Sequence, residues 1–312
     1  MNPDTTPDKF DAEVIASFGR HLLVRDADGQ QRSARPSGRK LAIVCGDRVR
    51  CQFDRAHDEV LAVEVLPRRT VLARASLRGA SEAVVANITQ LVVVVAPLPQ
   101  PDFFMVDRYL CAATSAGLRG AIAVNKTDLA RDAIDPKELA AYLDAGYTHV
   151  TCSAKSGAGI VGLEKLLSSA VNVLVGQSGV GKSSLVNALL PDEEVQTGGL
   201  MREEEGRHTT TASRAYVLKC GGTLMDSPGV RDFAPAIDNL DARTLGFPEA
   251  ERLAVGCRFQ DCRHIQEPDC ALIGAVESGE VSARRYESYR RLRRLYADLL
   301  EARGPGSRNR RS

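Results

Sequence analysis

Gly176-Gln177-Ser178-Gly179-Val180-Gly181-Lys182-Ser183 decides how this chain of 312 residues folds. It fits G-x-x-x-x-G-K-[S/T] and stands between an apolar strand pattern, 171–175, and a helix pattern, the context a phosphate-binding loop requires. The glycines let backbone N–H groups turn inward around phosphates, and the helix N-terminus adds positive potential. Lys182 is expected to reach the β- and γ-phosphates and the Ser183 hydroxyl to bind Mg²⁺. Ser184 closes the nucleotide-contacting run.

Upstream, apolar runs alternate with helical patterns: strand 91–96, helix 102–116, strand 121–124, helix 136–144, strand 147–151 and helix 160–169. That alternation predicts a parallel sheet with helices on both faces, an α/β unit. Asn125-Lys126-Thr127-Asp128 follows one strand, and Ser153-Ala154-Lys155 follows the next, 28 residues later. A carboxylate at Asp128 accepts from the N1–H and N2–H₂ edge of guanine, a donor pair adenine lacks. A backbone N–H in the second turn can donate to the guanine O6. Asn125 can brace the phosphate loop, and the stem of Lys126 can lie along the base. An ATP-specific loop is the competing reading, and Asp128 argues against it.

Downstream, Asp226-Ser227-Pro228-Gly229 follows apolar Thr223-Leu224-Met225. It reads as D-x-x-G: the Asp holds a magnesium-bound water and the Gly N–H senses the γ-phosphate. Arg207-His208-Thr209-Thr210-Thr211 lies in a polar stretch, 192–211. A threonine there completes magnesium coordination when the γ-phosphate is present; Thr210 is the expected ligand, with Thr209 the alternative. Many small GTPases place a water-orienting glutamine directly after D-x-x-G, but Val230 stands here. His208 is the internal candidate for that task, leaving His208, Lys182 and Thr210 as the expected catalytic set. A group supplied by a partner is the alternative.

The flanks differ in texture. Val49, Cys51 and Phe53 alternate with Arg48, Arg50 and Gln52, and glycine turns recur through residues 14–65, which predicts a five-stranded barrel of OB type. Residues 67–87 read as a basic connector. Past about 236 strand texture disappears, and Cys257, Cys262, His264 and Cys270 give C-x₄-C-x-H-x₅-C. Three thiolates and an imidazole form a closed tetrahedral set, the pattern of one structural zinc. The expected organisation is a barrel over 1–80, the α/β unit over 81–235 and a helical zinc-binding unit over 236–312.

Apolar residues make up 44% and charged residues 26%, which excludes disordered, collagenous and coiled-coil chains. The longest apolar run, 91–97, is too short to span a membrane. Polar residues 1–9 carry no signal-peptide core, so the eight cysteines are expected to be reduced thiols or metal ligands in the cytoplasm. The formal net charge is only +1, but residues 19–69 carry eleven Lys/Arg against seven Asp/Glu, and residues 283–312 carry ten Arg against three acids. Two basic ends on a neutral chain point toward a polyanion. On the tail helix, about 281–301, Tyr286, Tyr289, Leu292, Tyr296 and Leu299 share a side that is expected to pack. Arg284, Arg285, Arg290, Arg291 and Arg294 lie elsewhere around it.

The motif order is NKTD, SAK, GQSGVGKS, the threonine loop, then DSPG. Ordinary small GTPases begin with the phosphate loop; the same five elements stand here in cyclic permutation. With a barrel before and a Cys/His cluster after, residues 12–300 resemble the ribosome small-subunit-dependent GTPase A family. The resemblance implies a GTPase that binds the 30S subunit and its 16S rRNA, is stimulated by it, and assists its late maturation. A monomer is expected. The alternative is a GTP-gated RNA chaperone in which hydrolysis only resets the switch. In either case permutation leads the chain after Gly229 into the zinc-bearing helices. The barrel is expected to lack a direct connection to the switch.

Overall fold

Small apolar side chains at alternate positions close the N-terminal strands on themselves. In the computed structural model, residues 9–38, 41–75, 81–129, 134–190, 213–227, 236–237 and 240–303 are described. Strands β1 (Lys9–Phe18), β2 (His21–Asp26), β3 (Gln31–Pro36), β4 (Arg48–Asp54) and β5 (Glu59–Val65) form the barrel. β1 pairs antiparallel with both β2 and β4, β4 with β5, and β3 runs parallel to β5. Inside are Ala12, Val14, Leu22, Val24, Ala34, Val49, Cys51, Val60 and Ala62. Alanines among them suit an interior only wide enough for side chains.

The connector expected over 67–87 is instead a hairpin, β6 (Val71–Ala75) with β7 (Ser81–Ala86). Its charged residues mask a strand pattern: Arg74 pairs with Glu82 across the ribbon.

The α/β unit contains β8 (Gln90–Val95), α1 (Phe103–Ser115), β9 (Arg119–Val124), α2 (Pro136–Asp144), β10 (Thr148–Thr151), α3 (Ile160–Leu167), β11 (Val171–Val175), α4 (Lys182–Leu189), β12 (Ser213–Val217) and β13 (Thr223–Asp226). The order across the sheet is β10-β9-β8-β11-β13-β12. The first five are parallel and β12 is antiparallel to β13. β8 is buried along its whole length, which is why it reads as an unbroken apolar run. α1 and α2 cover one face, α3 and α4 the other. The two base loops, the phosphate loop and Asp226 each stand at the C-terminal end of a strand, where open α/β sheets bind ligands.

Beyond the sheet lie α5 (Pro248–Leu253), α6 (Ala271–Glu277) and α7 (Ala283–Arg303). Tyr289 and Leu292 of α7 are buried, Tyr289 edge-on to Phe247 with ring centres 5.4 Å apart. The tyrosine side of the tail helix therefore packs. Arg284 and Arg285 do not face outward. Arg285 is 1% exposed; it donates to Asp107 of α1 (2.7 Å) and bidentately to Glu249 of α5 (2.6 and 2.9 Å). Arg284 pairs with Asp107 and with Glu138 of α2. Burial opposes the Arg285 charge, but Asp107 and Glu249 outweigh it and hold the guanidinium well above its usual range. The helical unit is thus keyed into the α/β unit by a buried ion cluster as well as by the chain.

The barrel is also joined to the sheet. The register between β1 and β2 shifts between Val14 and Ala16, and beyond that shift β1 pairs with β12: Ala16 with Arg214 and Ser17 with Ser213. Barrel and α/β sheet are consequently one eleven-stranded sheet. The chain joins the barrel to the α/β unit only ahead of β8, as expected, but pairing adds a contact that chain order could not show: β1 lies against β12, the strand that opens at Ser213.

Candidate nucleotide site and metal centre

Asn125 ties three loops together. It is 1% exposed; its amide Nδ2 donates to the Val180 carbonyl (2.9 Å), and its Oδ1 accepts from the Ala154 N–H (3.1 Å). Gly181 makes room for it: a Cβ there would stand 2.4 Å from Asn125 Nδ2, and the backbone φ of +94° is one that side chains disfavour. Lys126 donates from Nζ to the carbonyls of Gly179 (2.6 Å) and Leu98 (2.9 Å). Thr127 caps the neighbouring strand end, its hydroxyl donating to Cys152 O at 3.0 Å.

Asp128 is set by Ser153, whose hydroxyl donates to Oδ1 at 2.5 Å. That hydrogen bond holds the Asp128 carboxyl below the usual carboxylate range, so it is an acceptor at neutral pH. Ser153 is itself fully buried. Lys155 adds to the downward shift on Asp128 through its charge.

In the phosphate loop, Gly176 and Val180 are buried, whereas Ser178 and Gly179 are exposed. Lys182 is 8% exposed, and its ammonium donates to the carbonyls of Gly176 (2.6 Å) and Gln177 (2.8 Å). A phosphate entering the loop competes with those carbonyls. Ser183 lies in the first turn of α4, half-buried, and Ser184 beside it is exposed. The Gln177 side chain accepts from the Asp102 N–H at 3.1 Å, tying the loop to the start of α1. Asp226 ends β13, and Ser227 after it is buried. His208, Thr209, Thr210, Gly229 and Val230 lie outside the described residues.

The ligating atoms of Cys257, Cys262, His264 and Cys270 all lie within 4.8 Å of one another. His264 Nδ1 is 3.4 Å from Cys257 Sγ and 3.3 Å from Cys270 Sγ, and those two sulfurs are 3.9 Å apart. Tetrahedral sulfur and nitrogen ligands at metal-bond lengths span edges of about 3.5–3.8 Å, so the set fits a single ion. Burial pushes the Cys262 thiol up to about 12; coordination by a divalent metal offsets that cost by binding the thiolate. Tyr286 and Tyr289 of α7 anchor the ligand loop through the carbonyls of His264 (3.0 Å) and Arg263 (2.8 Å).

A family model described as RsgA GTPase matches residues 65–235. The chain belongs to the RsgA GTPase family. It is a GTP-hydrolysing enzyme. A relative in Azotobacter vinelandii, "Small ribosomal subunit biogenesis GTPase RsgA", is 40% identical over 288 residues, covering 89% of this chain and 83% of that one. One of the same description in Pseudomonas aeruginosa is 41% identical over 287 residues, covering 90% and 84%. YjeQ from Thermotoga maritima superposes with a TM-score of 0.71 at 28% identity, over 93% of this chain and 99% of that one. YloQ, described as a circularly permuted GTPase, shares the fold with a TM-score of 0.72 at 23% identity, over 96% and 99%. The permuted GTPase fold read from the motif order is what this RsgA-family chain adopts.

Sequence reasoning missed three contacts at this RsgA-family site. The Leu98 carbonyl under Lys126 comes from a proline-rich loop with no motif. The bond to Gln177 had a partial signal, since Pro101-Asp102 before Phe103 is a helix-start pattern and Asp102 caps α1. The third joins Ser213 to Ser227, whose hydroxyls lie 2.7 Å apart; neither residue belongs to a spacing rule.

Proposed function

We propose that this GTPase acts on the small ribosomal subunit, binding its rRNA and hydrolysing GTP faster when bound to it, at a late step of maturation. The observation that supports the reading is the shared strand-end site, where Asn125 joins the phosphate loop to the turn carrying Ser153, and Ser153 holds Asp128, an arrangement suited to one guanine nucleotide. A barrel and a metal-ligand unit flank it, and relatives at about 40% identity carry the small-subunit name. Asp128 selects guanine, and Asn125 and Lys126 hold the base loop to the phosphate loop. Lys182 neutralises phosphate charge. Mg²⁺, when bound, supplies further charge neutralisation, with Ser183 and Thr210 as its protein ligands. His208 orients the attacking water, since Val230 cannot. The Cys257, Cys262, His264 and Cys270 set holds zinc as a structural cross-link, because all four positions of a tetrahedral ion are taken by protein. The protein works as a cytoplasmic monomer.

The test is GTP turnover by the purified protein alone and with 30S, 50S or 70S particles. Acceleration by 30S above the other two supports the reading. Equal turnover in all four would favour the chaperone alternative, in which hydrolysis only resets the switch.

A further inference from the structure

Barrel, switch strand and D-x-x-G segment meet at one side chain. Ser213 opens β12, three residues after Thr210 in the chain. Its main chain is paired with Ser17 of barrel strand β1. Its hydroxyl donates to the hydroxyl of Ser227 at 2.7 Å, and Ser227, 4% exposed, is the second residue of D-x-x-G. β12 also pairs with β13 itself, Arg214 standing opposite Asp226.

A second barrel contact converges on the same strand. Gly46, in the turn before β4, is packed so closely that a Cβ would stand 2.1 Å from the Ala86 carbonyl and 2.6 Å from the methyl carbon of Met225. Met225 is the residue before Asp226. The Asn87 amide donates to the Gly46 carbonyl at 2.8 Å, and Arg68 clamps the buried carboxylate of Asp47 at 2.7 Å, fixing that turn to the connector. The barrel therefore rests on β12 by its backbone and on β13 by van der Waals contact. Both contacts lie beside Asp226: Met225 precedes it in the chain, and Arg214, next to Ser213, stands opposite it.

We propose that Ser213 is a positioning residue that couples the seat of the barrel to the D-x-x-G segment, and through it to GTP hydrolysis. Three properties make it suited to this. The β1–β12 ladder spans only two residue pairs, so it can part without unfolding either sheet, whereas β1 stays in the barrel through five pairs with β4. The Ser213–Ser227 bond is a short side-chain link, sensitive to a small shift of either segment. Movement of β12 relative to β13 displaces the D-x-x-G segment, and a barrel pulled by a bound polyanion pulls on β12. The consequence is reciprocal: whatever the nucleotide does to the seat of the barrel, a ligand on the barrel does to the nucleotide site. The inference rests on GTP hydrolysis by this chain and requires no particular partner.

The experiment compares the full-length parent with Ser213→Ala and Ser213→Thr. Each is measured for GTP binding, steady-state hydrolysis, and hydrogen exchange of segment 14–18 with GDP and with a non-hydrolysable GTP analogue. In the parent, protection of 14–18 should differ between the two nucleotides. In Ser213→Ala, kcat should fall about fivefold with KM little changed, the loss expected for one ordinary hydrogen bond made at the site, and the nucleotide dependence of protection should vanish. Ser213→Thr, which keeps the hydroxyl and suits a strand, should restore both. Parent-like kcat in Ser213→Ala, or identical protection of 14–18 with both nucleotides in the parent, would overturn the coupling. Failure of the parent to bind GTP at all would remove its premise, and is distinguished because the coupling outcome leaves binding intact.

Discussion

At the scale of single residues, two carboxylates show how hydrogen bonding assigns a task. The Ser153 hydroxyl lowers the proton affinity of Asp128 and leaves a carboxylate able to accept from a base with two adjacent donors. Asp128→Asn reverses the polarity of one acceptor, so preference should pass from guanine to xanthine nucleotides; competition binding with GTP, XTP and ATP measures it. If ATP competes with the parent as well as GTP does, the base assignment is wrong. Glu267 sits in the metal-ligand loop and accepts from the N–H groups of Arg263 (2.8 Å), Ile265 (2.9 Å) and Gln266 (3.1 Å). Burial opposes its charge, but those N–H groups prevail and bring the carboxyl from 4.5 down to about 2. A depressed carboxyl stabilises the fold fully above its unfolded value. Its contribution should therefore be constant from neutral pH down to about 4.5 and fade between there and about 2. Glu267→Gln should cost about 1 kcal/mol at neutral pH, because the group is only partly buried and solvent screens its charge. Thermal melts of parent and variant across pH should converge at the acid end.

At the scale of elements, the ion cluster between α7, α1, α2 and α5 governs how the helical unit is held. Removing one partner of a buried pair leaves an uncompensated charge, at a cost of about 3–5 kcal/mol. Arg285→Met should lose stability of that order, since it leaves the buried Glu249 without its guanidinium and Asp107 with Arg284 alone. The triple change of Arg285, Asp107 and Glu249 to apolar residues should recover much of it, read by denaturant midpoints. Full stability in Arg285→Met alone would mean that the cluster is not what keys α7 to the sheet. This contact also explains why the arginines of the tail helix divide into two groups. Arg284 and Arg285 are internal, whereas Arg290, Arg291 and Arg294 stay exposed, the first and last beside Glu287, and Arg291 over the Phe104 ring.

At the scale of the molecule, the candidate metal ligands and the nucleotide motifs stand on different segments of the chain. The four ligands lie between α5 and α6, with Cys270 as the N-cap of α6. Cys262→Ser should lose the metal and loosen 257–270 while leaving GTP affinity largely intact. Elemental analysis of metal-replete protein beside a GTP titration tests both halves, and a preparation without stoichiometric zinc would refute the assignment. Affinity for 30S particles should fall steeply with salt, as arginines displace counterions from phosphates. A flat dependence would mean that the charge is solvated surface.

The sequence by itself determined the chemistry and the order of its parts. Phosphate-loop, guanine and D-x-x-G spacings are local rules, because each ligand-facing group sits a fixed number of residues from a strand end. The Cys/His spacing was legible because four ligands of one ion fall within fourteen residues of one another. The barrel was legible from alternation, since period-two burial is a property of the strand alone. Only the tertiary structure decided what those parts touch. Arg284 and Arg285 look like surface charge until α7 is laid against Asp107, Glu138 and Glu249. The hairpin of 71–86 is hidden because its stabilising pairs lie across the ribbon. Ser17 and Ser213 are almost 200 residues apart in the chain and become neighbours only because β1, while still paired with β2, exchanges β4 for β12 along its other edge beyond the register shift. Contacts of that kind carry no local signature, since they depend on where a whole strand lies and not on what its residues prefer.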